Sequence, residues 1–219
     1  MFSMFKVIRE AFNKDELVCI GTEVNINPEA GEELLELCAD AALDGVSVVA
    51  VEIKTGEVAA ACFNKLQVNP DTTEKPFFEV FAEEPFYFLV SISYLLIDCS
   101  IELMFLATLK EHRRNKLGYL CSKATLDLGR ELQNGPVSKI TVQNLGPNYA
   151  HMKPRKVTDK VPKISQMLCT AIATQKISKA LNFTVHARIS FTEFIYDGKN
   201  YAERAGFDPY CEAVARRID

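Results

Sequence analysis

Residues 107–120 read ATLKEHRRNKLGYL and place a cationic turn between an apolar strand and an amphipathic helix. The apolar run at 101–109 predicts a strand that is buried on both faces. Where a strand ends and a helix begins, several backbone N–H groups lack partners, and the helix dipole adds partial positive charge. Such a junction can bind a diphosphate, to which Arg113, Arg114 and Lys116 could donate charge-assisted hydrogen bonds. The competing interpretation is a set of solvated side chains, although cations at a helix start oppose the dipole and a bound anion would relieve that opposition.

Helices and strands alternate on both sides of this junction. Residues 27–45 predict a helix capped by Asn27, with Pro28 at its first position and Gly45 at its end. The glycine of KTGE, residues 54–57, allows a positive φ and predicts an antiparallel hairpin between the strands around it. The other predicted elements are a first helix ending near Asn13, a helical segment at 72–99, the strand at 101–109, a helix from 117 to about 134, a polar surface segment at 137–163, a strand at 164–173, a helix at 174–181 and a closing hairpin at 183–204 that turns at Asp197-Gly198. Their order predicts an α/β (α+β) fold with a mixed central sheet, a strand-helix junction and a C-terminal hairpin.

Length and composition are those of one soluble globular domain that spans residues 1–219. Hydrophobic residues make up 48% of the chain and charged residues 25%, which is enough apolar material for a single core. The formal net charge of -4 excludes the general basic field by which proteins bind nucleic acid non-specifically. The longest apolar run, residues 86–97, is about half as long as a membrane-spanning helix needs to be. We therefore expect a monomer that binds neither nucleic acid nor membrane.

The seven cysteines are spread singly and form no C-x-x-C pair. An odd number in this pattern argues against a disulfide framework and against a zinc knuckle, and indicates a reducing, cytoplasmic location. The first twelve residues already carry charge at Lys6, so they do not predict a signal peptide. His112, His151 and His186 are isolated from one another in the sequence, and we expect no metal site.

The sequence RRNKLG, residues 113–118, resembles motif A of the GNAT superfamily, the acyl-CoA-dependent N-acetyltransferases, whose pattern is R/Q-x-x-G-x-G/A after a buried strand. Arg113 takes the first position, Lys116 the central glycine position and Gly118 the last. Further segments in the right order extend the resemblance to insect-type arylalkylamine N-acetyltransferase-like proteins over most of the chain. These segments are FNKDELVC at 12–19, DGVSVVAVEIKTGEVAAACFNK at 44–65, ATLKEHRRNKLG at 107–118 and CTAIATQKISKALNF at 169–183, followed by YDGK at 196–199.

The resemblance implies an acetyl-CoA site and a general base. The base that deprotonates the amine would be Glu16, the glutamate of the family's D-E-P motif. Hydroxyl groups at Thr170 and Thr174 would return a proton to the departing coenzyme A thiolate. The competing interpretations are a solvated acid at the end of the first helix for Glu16 and a helix N-cap for Thr174. The residues implied to hold the diphosphate and polarise the thioester are Ala107, Thr108, Arg113, Arg114, Asn115, Lys116, Leu117 and Gly118.

The sequence leaves two functions open. The first is direct transfer of an acetyl group from acetyl-CoA to the primary amine of a small arylalkylamine-type substrate. The second is a GNAT-fold protein that has lost turnover and serves as a coenzyme A-binding or interaction module. Departures from the family pattern favour the second function, namely Lys116, Leu17 in place of proline, Ala173 in place of tyrosine, and a first strand that is shortened or absent before Met4. The aromatic residues expected to wall the amine pocket are Phe12, Phe77, Phe78 and Phe86.

Overall fold

The computed structural model describes residues 2–68, 97–135, 140–156, 158–207 and 209–218. Its strands are β1 (Val48–Val51), β2 (Val58–Val68), β3 (Cys99–Thr108), β4 (Ile164–Cys169), β5 (Thr184–Ser190), β6 (Ile195–Tyr196), β7 (Lys199–Asn200) and β8 (Tyr210–Arg217). Six of them form a sheet in the order β1-β2-β3-β4-β8-β5, and β6 pairs with β7 in a separate hairpin. β3 and β4 run parallel, whereas the other neighbours in the sheet are antiparallel. The predicted mixed sheet is therefore confirmed.

Helices pack on both faces of this sheet. They are α1 (Phe2–Val7), α2 (Asn13–Asp15), α3 (Leu17–Gly21), α4 (Pro28–Ala42), α5 (Leu117–Glu131), α6 (Val142–Leu145), α7 (Ile172–Ala180) and α8 (Tyr201–Ala205). α4 begins as predicted, because the Asn27 side chain accepts hydrogen bonds from the amides of Glu29 and Ala30. The first helical run ends at Asp15, two residues after the predicted Asn13, because a π-helical turn, Ile8–Phe12, joins α1 to α2.

The two faces of the sheet have separate hydrophobic cores. On one face, α1 and α4 pack on Phe63 of β2, which is fully buried together with Ile8 and Leu35. On the other face, α5 packs on Cys62 and Leu103. The alternation of Cys62 and Phe63 along β2 thus decides which helices each side chain meets. Each fully buried side chain of this size contributes about 1.5–3 kcal/mol of hydrophobic stabilisation.

The predicted closing hairpin at 183–204 is wrong in its pairing. Asp197-Gly198 does form a tight turn with positive φ at both residues, but it joins only the two-residue strands β6 and β7. The long partner of β5 is β8, which was not predicted from the sequence. The DG turn supplied a strong local signal, whereas the β5–β8 pair depends on contacts across the whole closing segment.

The segment at 137–163 was predicted as a polar surface segment, but part of it contributes to the hydrophobic core. Leu145 and Tyr149 are buried in the core beneath α1 and α4. Arg155 forms ion pairs with Asp40 and Asp44 at 2.7 and 2.6 Å and so attaches the following loop to the end of α4. The strand predicted at 164–173 ends at Cys169, and α7 starts at Ile172, before the predicted Thr174.

The predicted helical segment at 72–99 lies almost entirely outside the described residues, and with it lie Phe77, Phe78 and Phe86. Its last residue, Cys99, is the first residue of β3. Phe12, the fourth aromatic residue expected in the amine pocket, is half-buried and packs edge-on against Phe105 with ring centroids 5.5 Å apart. Among the residues that the structure describes, no helix combines the length and the apolar character needed to cross a membrane.

Candidate active site

β3 and β4 separate at the middle of the sheet. Their last ladder pair joins Leu103 to Met167, although both strands continue beyond it. The register between β2 and β3 shifts between Phe63 and Asn64, which makes Met104 an extra residue in β3. A bulge of this kind bends a strand and ends its pairing on one side. The sheet therefore opens between the ends of β3 and β4, as expected if a ligand enters between them.

The turn that follows β3 presents unpaired backbone donors. The amides of residues 114–119 donate to no backbone or side-chain acceptor in the part of the chain that the structure describes. Arg114 and Lys116 have positive φ values, 69° and 59°, a conformation that L-residues other than Asn and Asp seldom adopt. Main-chain N–H groups in such a turn, ahead of the positive end of the α5 dipole, form a concave anion site. The geometry fits a bound diphosphate.

The backbone at Lys116 explains why the motif that this turn resembles has glycine at the same position. Its left-handed φ favours glycine, so lysine is tolerated there at a conformational cost. The Lys116 side chain is exposed, and among the described residues its ammonium group has no partner. Gly118 is fixed by packing, because a Cβ there would lie 3.2 Å from Cδ1 of Ile177 on α7.

The predicted diphosphate ligands differ in their contacts. The Arg113 guanidinium donates to the Thr108 carbonyl at 3.1 Å and to the Asp15 carboxylate at 2.6 Å. Arg113 therefore links the end of β3 to the segment that precedes Glu16. Arg114 is exposed, and its side chain has no partner within the described ranges. An exposed ion pair such as Arg113–Asp15 is worth little on its own and could exchange for a phosphate contact.

The structure brings Glu16 and Thr170 together across 154 residues of sequence. The Thr170 hydroxyl donates to Glu16 Oε1 at 2.6 Å. Glu16 Oε2 accepts the amide of Cys19 at 2.9 Å, so the same carboxylate caps α3. The position is half-buried, directly beside the open end of β4. Glu16 is therefore not the solvated acid of the competing interpretation.

Thr174 lies at the third position of α7 rather than at its N-cap, which is Ala171. Its hydroxyl donates to the Ala171 carbonyl at 2.8 Å and accepts the Ala171 amide at 3.3 Å. These contacts stabilise the turn that leads from Thr170 into the helix. The Thr174 hydroxyl is hydrogen-bonded to Ala171 and not to Glu16, and it would have to rotate to serve as a proton donor.

The surroundings of Glu16 are largely apolar. Burial, together with the charges of Cys169 and Glu16, raises the pKa of the Cys211 thiol to about 12. Burial and the Glu16 charge also raise the pKa of the Tyr201 phenol. The Tyr201 ring covers Gly21, where a Cβ would lie 2.4 Å from a ring atom. The hydrogen bonds of Glu16 are therefore partly shielded from solvent, and partial shielding makes them stronger than in bulk water.

Sequence reasoning missed a second acidic residue, Glu102. It lies in β3, two residues before the bulge, on the face that carries α4, and it is only 4% exposed. Gln67 donates to its carboxylate at 2.7 Å, and Gln166 is hydrogen-bonded to it as well. Burial raises the pKa of Glu102 to about 7, against the opposing effects of these two amides and of Lys65. An acid inside an otherwise apolar strand was the sequence signal that could have identified it.

We expect the Glu102→Gln variant to remove a pH dependence of stability. The folded-state pKa of about 7 lies above the ordinary value of 4.5, so the contribution of Glu102 is complete below pH 4.5 and is lost as pH rises through 7. A shift of this size corresponds to roughly 3 kcal/mol at most. Urea unfolding at several pH values should show the variant gaining stability over the wild type between pH 4.5 and 8. If the free energies of unfolding of the two proteins changed in parallel with pH, that result would contradict the raised pKa of Glu102.

Within the described ranges, no group of three or more His, Cys, Asp or Glu side chains could hold a metal ion. The features at the open end of the sheet are the turn with its unpaired amides and the Glu16–Thr170 pair. These are the parts required for binding an anionic ligand and for moving a proton.

No family model and no curated protein matches this sequence. Solved structures do match its fold. The candidate arylalkylamine N-acetyltransferase 7 of the mosquito Aedes aegypti superimposes with a TM-score of 0.72 at 14% identity, over 100% of this chain and 83% of that one. Arylalkylamine N-acetyltransferase 2 of Aedes aegypti gives 0.64 at 13% identity, covering 100% and 94%. The polyamine N-acetyltransferase of Drosophila melanogaster gives 0.66 at 11% identity, covering 99% and 94%. At these identities the likeness shows the fold, so the chain has the predicted GNAT acetyltransferase fold.

Proposed function

We propose that this protein is an acetyl-CoA-dependent N-acetyltransferase that acts on the primary amine of a small substrate. The observation that carries the proposal is the row of unpaired amides at 114–119, beside the opening between β3 and β4. A pair of strands that separates at a bulge, followed by an anion-binding turn, fits a ligand with a diphosphate at one end and a thioester at the other. The resemblance indicates arylalkylamines as the acceptor class.

Coenzyme A would be held mainly by main-chain groups. The amides of 114–119 would donate to the diphosphate, with Arg114 and Lys116 adding charge from the exposed side. Acetyl-CoA would supply an activated thioester to the opening in the sheet. Main-chain groups near Ala107 and Thr108 would polarise its carbonyl group, and much of the rate would come from holding the two substrates together.

Glu16 would accept the proton that the amine loses. A protonated amine is not nucleophilic, so a base positioned at the opening is required at neutral pH. The 2.6 Å hydrogen bond to Thr170 then provides a route for the same proton. Glu16 would donate to Thr170 Oγ1 while the Thr170 hydroxyl proton moves to the leaving sulfur. The nitrogen of an ammonium substrate would lose two protons in all. The first would leave through Glu16 to solvent before the attack, and the second, released from nitrogen as the amide forms, would pass through Glu16 and Thr170 to the sulfur. The net reaction thereby releases one proton, both residues return to their starting states, and Thr174 supports the turn that positions Thr170.

The first test is a thermal unfolding titration with acetyl-CoA. A ligand at 100 times its Kd stabilises the folded state by about 2.7 kcal/mol. For a chain of this length that corresponds to an increase in Tm of about 5–10 °C. Pantetheine, which has no diphosphate, is the matched control and should give a much smaller shift. The absence of a shift at millimolar acetyl-CoA would rule out the proposed function.

The alternative is a GNAT-fold protein without turnover that binds coenzyme A as a module. Lys116 and Leu17 favour this alternative, since both depart from the family pattern. Lys116 lies in the segment that would bind coenzyme A, and Leu17 in the segment that would deprotonate the amine. Thiol release measured with tyramine, dopamine, serotonin, tryptamine and polyamines separates the two. Binding of acetyl-CoA without thiol release from any amine of the panel would favour the alternative.

A further inference from the structure

The helix that places Glu16 is too short to be stable on its own. α3 has five residues, Leu17–Gly21, and Glu16 caps it by accepting the Cys19 amide. Isolated helices of fewer than about twelve residues are marginal in water, so a helix this short depends on packing against the rest of the protein. The contacts that hold α3 in place therefore also set the position of the Glu16 carboxylate.

One support of α3 is the ring of Tyr201, the first residue of α8. The ring lies against Gly21 at the end of α3, so closely that a Cβ at Gly21 would overlap it. The same ring packs against Phe191 and Phe194, with centroid distances of 5.9 and 5.6 Å. Both phenylalanines are buried, so the Tyr201 ring has little room to move away from α3.

A second support is the ion pair between Arg204 of α8 and Glu23, which follows α3. The Arg204 side chain is only 10% exposed, whereas that of Glu23 is 39% exposed. Another nitrogen of the guanidinium group donates to the Tyr196 carbonyl at 2.9 Å, and the group lies over the Tyr196 ring, 5.6 Å from its centroid. A buried guanidinium with charge-assisted hydrogen bonds to two segments links the β6–β7 hairpin to the end of α3.

These supports give a structural role to a segment of sequence that the active site does not itself use. YDGK, residues 196–199, forms the turn between β6 and β7, and α8 follows the hairpin directly. The hairpin supplies the Tyr196 carbonyl to Arg204. We refer to residues 195–205 as the clamp, which contacts α3 through Tyr201 and α3's following turn through Arg204.

The ion pair is better suited to fixing a position than to stabilising the whole fold. Nε of Arg204 is buried and has no acceptor among the residues that the structure describes. An unpaired buried donor lowers the net gain from the pair, and a buried ion pair often adds little to the free energy of unfolding. Glu23 is partly exposed, so water can solvate its carboxylate when the partner is removed. Loss of the pair should therefore release α3 without unfolding the protein.

We propose that the clamp positions the general base, because Tyr201 and Arg204 hold α3 where the Glu16 carboxylate meets the Thr170 hydroxyl. Both are positioning residues that act through Glu16. This inference rests on the transferase activity proposed above and adds two residues to the parts that activity requires. A reacting group misplaced by about 1 Å can lower a rate by roughly 100-fold.

The first test is a double-mutant cycle between Arg204 and Glu16, measured with the amine that the wild type acetylates fastest. Arg204→Met removes both hydrogen bonds of the guanidinium group and should lower kcat/KM by roughly 10- to 100-fold. In a Glu16→Gln background the same change should cost less than about twofold, because the base through which it acts is already absent. Arg204→Lys keeps the charge and should restore part of the rate. Equal losses in the two backgrounds would overturn the inference.

A second cycle tests the contact between Tyr201 and Gly21. Gly21→Ala places a methyl group where the ring lies and should lower kcat/KM by moving α3 relative to the clamp. Tyr201→Ala should also lower it, because α3 loses the ring that supports it. The double variant should be no slower than Tyr201→Ala alone, since the added methyl group then has space. If the two losses multiplied, the ring would not be what positions α3, and the inference would fail.

The Cys19 amide gives a readout that does not depend on turnover, because this amide donates to the Glu16 carboxylate. In Glu16→Ala the hydrogen bond is absent, and the Cys19 amide resonance of that variant marks the uncapped state. Arg204→Met and Gly21→Ala should move the resonance toward this position. Lys199→Met, the matched control, removes an exposed positive charge from the same clamp and should leave both the resonance and kcat/KM unchanged. A wild-type Cys19 resonance in both clamp variants would overturn the inference.

The two proposals fail in different ways. If the wild type acetylates amines and the clamp variants keep its rate and its Cys19 resonance, the clamp fails while the transferase stands. If acetyl-CoA does not bind to the wild type, the transferase fails, and the positioning of a base fails with it.

Discussion

Replacing Glu16 by glutamine should lower kcat/KM for acetyl transfer by roughly 10²- to 10⁴-fold, the usual contribution of a positioned general base. Glutamine keeps an oxygen that can accept the Cys19 amide, so α3 retains its cap and the fold is preserved. The affinity for acetyl-CoA should stay within about threefold of the wild type, because the anion-binding turn is unchanged. The measurements are steady-state kinetics across pH and an independent binding titration.

The pH profile separates a base from a merely structural residue. If Glu16 is the base, the fall of kcat/KM at low pH that the wild type shows should be lost in the variant. Glu10→Gln, which removes an exposed acid from the π-helical turn, serves as the control and should keep the wild-type profile. Thr170→Val should also lower the rate, whereas Thr170→Ser keeps the hydroxyl and should retain most of it. An unchanged profile in the Glu16 variant would refute its role as the base.

Replacing Lys116 by glutamate should weaken coenzyme A binding by about 10- to 100-fold. The side chain is exposed at the turn whose amides would hold the diphosphate, so the change reverses a charge next to a dianion. The expected loss is moderated because solvent and salt screen an exposed charge. Isothermal titration calorimetry with coenzyme A at low and high salt measures the loss of affinity. This loss should be smaller at high salt.

Two variants test whether the turn binds through its main chain. Lys116→Gly keeps the amides and removes both the side chain and its left-handed strain, so its affinity should stay within a few-fold of the wild type. Lys123→Glu reverses a charge further along the same helix, at a side chain that pairs with Asp127, and should leave binding unchanged. If the glycine variant lost affinity as severely as the glutamate variant, the Lys116 side chain would be the main ligand. That result would contradict binding by the backbone.

Local sequence signals were sufficient to predict those helices and strands that are determined by their own residues. The helix after Asn27 could be predicted because the cap, the proline and the apolar spacing all lie within it. The buried strand β3 and the start of α5 could be predicted because a long apolar run ends at a cationic turn. The bulge at Met104 depends on the register with β2 and has no signature in the sequence.

Elements stabilised by distant contacts were predicted less well. β8 has no strong local turn beside it, and it is fixed by pairing with β4 on one side and β5 on the other. Leu145 and Tyr149 look like isolated apolar residues in a polar segment, yet they complete the core under α1 and α4. In both cases tertiary packing determined the strand or the burial of the side chains, which the local composition did not indicate.

The sequence could predict which residues belong to the candidate site, but it could not predict the contacts between them. The resemblance indicated Glu16 and Thr170 separately, whereas the 2.6 Å hydrogen bond between them arises from the way α3 approaches the end of β4. The engagement of Arg113 by Asp15 could not be read from the sequence, because the two residues are 98 positions apart. Glu102 escaped notice because its strand was recognised by the apolar neighbours, and its environment was visible only once the sheet was assembled.

The central claim is that unpaired main-chain amides at 114–119 hold the diphosphate of coenzyme A. Its most direct test is amide NMR of the ¹⁵N-labelled protein titrated with coenzyme A and, separately, with pantetheine. The account predicts that coenzyme A shifts the amide resonances of 114–119 more than any other group of residues, and that pantetheine leaves them in place. Saturation with coenzyme A without shifts at 114–119, or equal shifts with pantetheine, would contradict it.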